Sequence, residues 1–468
     1  MKKFIVILFS LILITQLFSY SLLEREAGNY VENIDARSAA MGGAAIAGGL
    51  RLFDISINPA NLGFLPQKLG VQTSFGILKD NDNRSLPMYN FFDGYIYDAV
   101  YASNVNYFDE YSLGIYYRKN ISGIGIAAAF LHRPFINFDS YYEEEVRNDE
   151  NSDYDNYPPI IAKNYFEGDG AINSLGFYAA LNFKEIASVG FEISRLSGDA
   201  DLVKKIFWTD EADSLATNSN DLIEYKWKLK RDFSDEILFK FGVQTKISKR
   251  ISLGFTYSPE IEFDVDINGS INDVDIDSLF YDYVWDANNV IIDTLYYSDY
   301  YKEIYGTYRN PTKFRFGFSY EPRNIMRTYF NCDIEFVNWT DVNAQYDDEI
   351  NYYIGVEHQL KNKIPLRLGF RYQTTYQKID DDAFIYSNKI SMPTFTVGSG
   401  FKFMNYFTLD VSAELSKRRY EALDLFMDSF YDQDGLWENI QPTDRGWENP
   451  DTVDETFIKI QTSISFLW

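Results

Sequence analysis

The segment TFIKIQTSISFLW at Thr456–Trp468 alternates apolar and polar side chains. The apolar side chains on one face are Ile458, Ile460, Ile464, Phe466 and Trp468. The polar side chains on the other face are Lys459, Gln461, Ser463 and Ser465. A period of two residues predicts a β-strand with two unlike faces. Such a strand needs either a protein core or lipid to cover its apolar face, and the rest of the chain decides between the two.

The composition of the chain favours lipid, rather than a protein core, as the cover of this apolar face. The 468 residues include 37 tyrosines and 38 phenylalanines, yet the mean hydropathy is -0.28. Many aromatic residues without long apolar runs are typical of a transmembrane β-barrel, whose outer surface uses aromatic side chains while its lumen stays polar. One large barrel can account for a chain of this length.

Charge and reactive side chains exclude several classes of function. A formal net charge of -26 argues against binding to nucleic acid. The single cysteine, Cys332, excludes an intramolecular disulfide and a cysteine-based zinc site. A lipase would need a serine beside a histidine, but neither His132 nor His358 has a nearby GxSxG motif. We therefore predict that the protein is not an enzyme.

The N-terminus predicts export. Lys2 and Lys3 are positively charged, residues 4–17 are apolar, and small residues follow at Ser19 and Ser21. A transmembrane anchor is the alternative, but the apolar run is shorter than the roughly 18–20 residues that a spanning helix needs. We interpret residues 1–21 as a cleaved signal peptide. We predict that the mature protein lies in the outer membrane of a Gram-negative-type bacterium.

The rest of the chain forms a series of predicted antiparallel hairpins. About fifteen alternating segments follow Leu69, including 95–106 and 110–118 as separate candidates. The predicted tight turns are 184–185, 248–250, 322–324, 361–363 and 404–405. The predicted long polar loops are 138–172, 199–234, 265–311, 339–350, 377–392 and 419–454. Short turns at one end and long loops at the other end are typical of outer-membrane barrels. We predict an all-β fold, an antiparallel transmembrane β-barrel over residues 67–468 with about 14 strands, or alternatively 16.

A run of small residues precedes the first strand. Residues 36–49 read ARSAAMGGAAIAGG, and a turn-forming sequence, NPANLG, follows at 58–63. Small side chains allow close packing in a confined space such as the lumen of a barrel. We predict that residues 22–66 form a hatch in the lumen, and a flexible leader is the alternative. The candidate residues of the hatch and ligand path are Ala40, Met41, Gly42, Gly43, Asn58, Pro59 and Ala60.

The order of these features resembles the outer-membrane long-chain fatty acid transporter family, the FadL/TodX type. The resemblance rests on the small-residue run, the sequence INPANL at 57–62, the hairpins and the terminal Trp468. It extends to IEFVNW at 334–339 and LRLGFRY at 366–372. In that family the N-terminal segment forms a hatch in the lumen, and a hydrophobic ligand leaves through an opening in the barrel wall. The related shuttle barrels of type IX secretion share the same opening motif.

Charged side chains on the polar faces of the strands form a second candidate site. They are Lys240, Arg315, Arg367, Arg371, Asp333, Glu335, Asp410 and Glu414. One interpretation is a salt-bridged, hydrated interior that holds the hatch. The other is a polar path with a cationic position for a carboxylate head group, and Arg367 and Arg371 are the candidates because they project from one strand face.

One predicted extracellular loop has the spacing of a calcium-binding loop. The candidate ligands are Asp264, Asp266, Asn268, Asn272 and Asp275. The flanking residues alternate like strands, and Asn268-Gly269 is equally typical of a hairpin turn. Apart from calcium at this loop, the sequence predicts no cofactor.

Two functions of different classes remain open. A channel for passive uptake of hydrophobic small molecules, such as long-chain fatty acids, would bind by burying the ligand tail at roughly 25 cal/mol per Å². A non-transporting scaffold or secretion-shuttle barrel would bind a protein partner at its acidic loops. A hydrophilic porin is less favoured because the hatch would occlude its lumen. The expected partners are outer-membrane lipid, a hydrophobic ligand, and the barrel assembly machinery at the C-terminal strand, with no nucleic acid.

Overall fold

The structure, a computed structural model, describes most of the chain. The described residues are 22–24, 27–31, 33–92, 94–148, 159–215, 222, 224–285, 291–325, 327–344, 346–360, 364–376, 390–403, 406–422, 425–426 and 450–468. The predicted signal peptide, residues 1–21, and the predicted turns at 361–363 and 404–405 lie outside the described residues.

Within the described residues, fourteen antiparallel strands form a closed barrel. In chain order they are β1 (Leu69–Tyr89), β2 (Tyr95–Ile121), β3 (Ile124–Asn137), β4 (Ile160–Phe183), β5 (Ala187–Trp208), β6 (Tyr225–Lys246), β7 (Ile251–Ser258), β8 (Thr312–Tyr320), β9 (Tyr329–Asn338), β10 (Glu349–Gln359), β11 (Pro365–Thr374), β12 (Ser391–Phe403), β13 (Phe407–Ala422) and β14 (Asp451–Leu467). Strand β14 pairs with β1 along almost its whole length, which closes the barrel. The prediction of about 14 strands is confirmed, and the separate candidates 95–106 and 110–118 are one strand, β2.

Shorter elements fill the lumen and the loops. The additional strands are Asn29–Tyr30, Ser140–Arg147, Ile261–Ile271, Val274–Asp275, Phe280–Trp285, Ile291–Tyr296 and Thr307–Asn310. The α-helices are Ala36–Ala39, Asp210–Leu215 and Tyr297–Tyr305, and the 3-10 helices are Leu22–Glu24, Leu52–Ser56, Pro59–Phe64, Ile276–Ser278 and Trp339–Asp341. None of the helices in the described residues is long and apolar enough to cross a membrane.

The barrel strands turn apolar side chains outward and polar side chains inward. On β14, Ile460 and Trp468 are each 55% exposed on the outer surface, whereas Gln461 and Ser463 are buried in the lumen. Outward Phe239 on β6 and Leu368 on β11 follow the same rule. The alternation predicted for the C-terminal strand is therefore present, and lipid rather than a protein core covers its apolar face.

The two ends of the barrel differ. At one end the turns are short, as at Lys184–Glu185, where both residues have positive φ. Trp468 lies at this end, where its N–H donates to the Leu69 carbonyl at 2.9 Å. At the other end β4 is 24 residues long and extends through much of the predicted loop 138–172. A membrane-spanning strand needs about 9–11 residues, so this part of the wall continues beyond the membrane and the loop predicted at 138–172 is shorter than expected.

Candidate functional site

The hatch, residues 22–66, lies inside the barrel. Its α-helix Ala36–Ala39 begins at Asp35, whose carboxylate accepts hydrogen bonds from the N–H groups of Arg37 and Ser38 at 2.8 and 3.2 Å. A 3-10 helix, Pro59–Phe64, begins at Asn58 in the same way, with the Ala60 N–H as the donor. The hatch contains little regular structure, so many of its buried backbone groups need partners from the barrel wall.

Polar side chains of the wall supply these partners. The Lys240 ammonium donates to the Ser56 carbonyl at 2.7 Å, and the Arg315 guanidinium donates to the Gly43 carbonyl at 2.6 Å. The Asp333 carboxylate accepts from two consecutive hatch N–H groups at 2.9 and 3.1 Å. These three predicted lumen residues therefore contact the hatch directly.

A buried chain of ion pairs joins the hatch to the wall. Glu357 on β10 accepts from hatch Arg37 at 3.0 Å and from wall Arg367 at 2.6 Å. Arg367 also contacts Asp410 at 2.8 Å, and hatch Arg51 contacts the other oxygen of Asp410 at 2.8 Å. Arg367 is thus committed to two carboxylates rather than pointing at open space. The sequence analysis did not identify Glu357, although it lies on the inward face of the barrel wall like the predicted lumen residues.

The remaining predicted lumen residues also have protein partners. Arg371 lies 2.6 Å from Glu414 on β13. Glu335 accepts from the Tyr353 hydroxyl at 2.9 Å. An open cavity of the lumen is lined by Arg371, Glu335 and Glu414, but not by Arg367.

Glycines of the wall let the hatch approach closely. Gly355 and Gly369 face each other across β10 and β11. A Cβ atom on Gly369 would lie 2.1 Å from the Gly42 nitrogen, and one on Gly355 would lie 2.3 Å from the Met41 oxygen. Five further wall glycines would meet Ala40, Ile46, Asn58 or Pro59 of the hatch in the same way: Gly190, Gly242, Gly254, Gly317 and Gly398. We call these seven wall glycines the glycine seat. A glycine in the middle of a polar strand face is the sequence signal that could have identified it.

The larger cavity in the lumen has a volume of about 170 Å³ and is slightly acidic. Its carboxylates are Glu24, Glu110, Glu335, Glu349 and Glu414, and its cations are Lys313, Arg371, Arg418 and Lys459. Several of these charges neutralise one another, as where Lys459 lies 2.6 Å from Glu110. With five carboxylates against four cations, this cavity does not favour an anion.

The smaller cavity, of about 80 Å³, is basic. Its charged side chains are Arg133, Lys240, Lys313, Arg315 and Glu335. Two carboxylates stand directly behind these cations: Glu192 lies 3.9 Å from Arg133 and 3.8 Å from Lys240, and Asp333 lies 3.1 Å from Arg315. The lining of this space therefore contains four cations and one carboxylate. We call this space the basic cavity.

Tyr30 of the hatch stands between the two cavities. Tyr30, Lys313 and Glu335 line both of them. The Lys313 ammonium lies 3.6 Å from the centre of the Tyr30 ring, and the ring packs edge-on against Phe135 and Trp339. A cation over an aromatic face is held electrostatically, so the side chain of Tyr30 and the ammonium group of Lys313 together form a partition.

The barrel wall departs from regular pairing next to the basic cavity. Strands β2 and β3 pair only as far as Leu113 with His132, although β2 continues to Tyr95. Beyond that point β3 keeps its pairing with β4 and adds the hatch strand Asn29–Tyr30. The end of β3 therefore leaves β2 and turns toward the lumen, where Arg133 and Phe135 line the basic cavity.

The candidate calcium ligands do not form a loop around one point. Asp264, Asp266 and Asn268 lie on the exposed face of the extended strand Ile261–Ile271. The hairpin turn is at Asn272–Asp273, where φ is 48° and 62°, and not at Asn268-Gly269. Within the described residues, no three acidic, histidine or cysteine side chains come together as a metal site. The geometry gives calcium no support at this hairpin.

The two histidines have structural contacts. His132 stacks on Tyr111 with ring centres 5.5 Å apart. His358 Nδ1 lies 2.8 Å from the Thr328 hydroxyl near the short-turn end.

Comparison with solved structures agrees with this geometry. The chain is similar to a FadL homologue of Pseudomonas aeruginosa, with a TM-score of 0.55 and 12% identity over 94% of this chain and 99% of the other. It is similar to the toluene transporter TodX of P. putida, with a TM-score of 0.54 and 11% identity over 95% and 99% of the two chains. The chain has a FadL/TodX-type fold. The CymD monoaromatic hydrocarbon channel is also similar, with a TM-score of 0.51 and 14% identity over 94% and 99%.

No protein-family model and no curated protein matches the sequence. The FadL/TodX-type fold is therefore recognised from structure, at identities where sequence similarity is weak.

Proposed function

We propose that this protein is an outer-membrane channel for the passive uptake of hydrophobic small molecules with one anionic group, such as long-chain fatty acids. The observation that carries the proposal is the basic cavity, which lies beside the departure of β3 from β2. The similar structures include a FadL homologue, a toluene transporter and a monoaromatic hydrocarbon channel, which supports a hydrophobic ligand.

The charges of the basic cavity suit a monoanion. A confined space whose lining carries more cations than carboxylates attracts a ligand carboxylate through charge-assisted hydrogen bonds. The Nε atom of Arg133 is buried and has no hydrogen-bond partner within the described residues. A ligand carboxylate would supply the missing acceptor. The larger cavity has an excess of carboxylates, so the anionic group would prefer the basic cavity.

The wall beside β3 offers a route for the apolar tail. Where β3 turns inward, outward residues of β2 such as Tyr107 and Tyr111 remain at the lipid-facing surface. A tail that passes here moves from protein to hydrocarbon without crossing water, at a gain of roughly 25 cal/mol per Å² of apolar surface kept out of water. Passive uptake needs no further energy source because the lipid phase accepts the ligand.

The hatch would control access to this route. Its ion pairs, its hydrogen bonds to wall side chains and its glycine seat all hold it in the lumen. A ligand that binds in the basic cavity competes for Lys240, whose ammonium holds the hatch at Ser56. Ligand binding and loosening of the hatch are therefore coupled at one side chain.

The first test is to purify the barrel in mild detergent and identify its bound molecules by native mass spectrometry and lipid extraction. A stoichiometric fatty acid or similar acidic amphiphile is expected. A copurified protein instead of an amphiphile would favour the scaffold or secretion-shuttle function and overturn the proposal.

The second test compares a fatty acid with its methyl ester. Replacing Lys313→Met should weaken binding of the acid about 10- to 100-fold, the equivalent of about 1.5–3 kcal/mol for a hydrogen bond to a charged group, and leave the ester unchanged. Lys417→Met is the matched control because the Lys417 side chain is exposed and lines neither cavity. Equal losses for acid and ester would contradict the role of the basic cavity.

A further inference from the structure

The backbone pairing between β6 and the next strand is interrupted. Below the interruption the last pair is Phe241 with Tyr257, and above it pairing resumes at Phe233 with Val265 in the same register. Both intervening segments, 234–240 and 258–264, are described, and no backbone pair joins them. Residues 236–240 of β6 stay paired with β5 on the other side, and residues 261–264 pair with 307–310. The wall is therefore continuous on both sides of a local gap.

Two bulges that face each other cause the interruption. On β6 the inward-facing residues Leu238 and Phe233 are separated by an odd number of positions. Residues on one face of a regular strand are an even number of positions apart, so β6 contains one extra residue here. On the next strand the inward-facing residues Ser258 and Ile261 are also separated by an odd number of positions, which again requires one extra residue. Pro259 lies in this second bulge and has no N–H to donate. Because each strand gains one residue, the register is the same above and below the gap.

The interruption lies at the outer edge of the apolar belt. Phe241 and Tyr257, at the lower border of the gap, and Phe239, within it, face outward and are exposed. Asp235, also within the gap but nearer its upper border, forms an ion pair with Arg195 on the exposed surface. Unsatisfied backbone groups are costly in hydrocarbon, and a barrel wall normally pairs all of them. Separating the two strands here breaks no ladder hydrogen bond, only the single bond that the Asp264 N–H donates to the Ser234 hydroxyl at 3.0 Å, so the wall opens at this point more easily than at a paired position.

The basic cavity lies directly behind the interruption. Lys240 and Ser258, which flank the gap on the two strands, also line this cavity. Thr256, one position below on the inward face, lines it as well. The cavity therefore reaches the inner side of the wall at the point where backbone pairing is absent.

We propose that the gap between β6 and β7 is a second lateral port, separate from the departure of β3 from β2. Its ligand is a single-chain anionic amphiphile, with the anionic head in the basic cavity and the tail passing above the Phe241–Tyr257 pair into the outer leaflet. This inference rests on the proposed function for the identity of the ligand. The existence of the port depends only on the wall, and the two can fail independently.

Lipid access to the inner side of the gap tests the port. In a Cys332→Ser background, Ser258→Cys is exposed to vesicles that contain a phospholipid with a maleimide head group. Thr394→Cys is the matched control, because Thr394 also faces the lumen but its strand is fully paired on both sides. Phe395→Cys, which faces outward, is the positive control and reports that the barrel is folded in the vesicle.

We expect Ser258→Cys to react at least tenfold faster than Thr394→Cys. Equal rates for these two variants, with Phe395→Cys reactive, would overturn the port. This result does not depend on whether the channel carries an amphiphile, so a failure of the proposed function is distinguished from a failure of the port.

A disulfide across the gap tests whether the ligand uses the port. Positions 239 and 259 would face each other if the register of β6 and β7 continued. In Phe239→Cys with Pro259→Cys, oxidation should lower uptake of a fatty acid into vesicles at least tenfold, and reduction should restore it. Unchanged uptake in the oxidised protein would overturn the port as a ligand route.

Discussion

Arg37 of the hatch donates through Nε to the carboxylate of Glu357 in the barrel wall at 3.0 Å, with both side chains almost fully buried. The same carboxylate oxygen accepts from Arg367 of the wall. One carboxylate therefore holds a cation of the hatch and a cation of the wall. Because a buried charge without its partner is strongly unfavourable, the seated position of the hatch depends on this contact.

Glu357→Gln should loosen the hatch. The substitution removes the ion-pair partner of the buried Arg37 guanidinium, and breaking a buried pair costs about 3–5 kcal/mol. We expect faster hydrogen exchange across residues 36–49 and a higher single-channel conductance in planar bilayers. Asp454→Asn is the control, because the Lys417–Asp454 pair is on the surface and such pairs contribute about 1 kcal/mol or less. Unchanged exchange in Glu357→Gln would show that the pair does not hold the hatch.

Gly369→Ala should displace the hatch from its seat. The new Cβ would lie 2.1 Å from the Gly42 nitrogen, so the hatch backbone has to move. Overpacking of this kind costs about 1–3 kcal/mol, and we expect the exchange of Met41–Gly43 to rise about tenfold or more. Gly76→Ala is the matched control, since the nearest atom to its Cβ would belong to the flexible Lys459 side chain, at 3.3 Å. Similar exchange in the two variants would contradict the glycine seat.

Tyr30→Ala should join the two cavities of the lumen. The substitution removes the ring that lies between them and that stabilises the Lys313 ammonium. We expect a several-fold increase in ion conductance in planar bilayers. Tyr97→Ala, at an exposed position outside the lumen, should conduct like the unmodified protein. A conductance that stays at the unmodified level in Tyr30→Ala would mean that another group separates the cavities.

The seating of the hatch should depend on pH through Asp35. Burial, followed by the nearby carboxylates of Asp54 and Asp410, raises the pKa of Asp35 to about 7, whereas an exposed aspartate has a pKa of about 4. An acid with a raised pKa stabilises the seated state when it is protonated and loses this contribution as the pH rises through 7. We expect the hatch to be better protected at pH 5.5 than at pH 8, after correction for intrinsic exchange rates. Asp35→Asn should remove the difference, and a difference that persists in this variant would assign it to another group.

Much of the barrel follows from local sequence. The alternation at Thr456–Trp468 predicts the strand and its lipid-facing side, because side chains of an extended chain point to opposite faces in turn. The small residues at 36–49 predict close packing. The extension of β4 through a predicted loop was missed, since its polar outward residues resemble a loop when only composition is considered.

The lumen was predicted less completely. Charged inward residues were identified, but their partners were not, because Arg37 and Glu357 are 320 residues apart in sequence. Arg367 and Arg371 were the candidates for a ligand carboxylate, yet Arg367 contacts Glu357 and Asp410, and Arg371 contacts Glu414. The basic cavity instead combines Arg133 of β3 with Lys240 and Lys313 from other strands.

The two-faced strands and the close packing of the small residues at 36–49 follow from local sequence, because each depends on the spacing of side chains along one segment. Closure of the barrel depends on the pairing of β14 with β1, which are far apart in the chain. The tertiary structure was needed to show which cations line the basic cavity, where the glycines receive the hatch, and where the wall loses its pairing. Those features depend on contacts between strands that are distant in sequence, and the register of β6 with β7 sets the gap in front of the basic cavity.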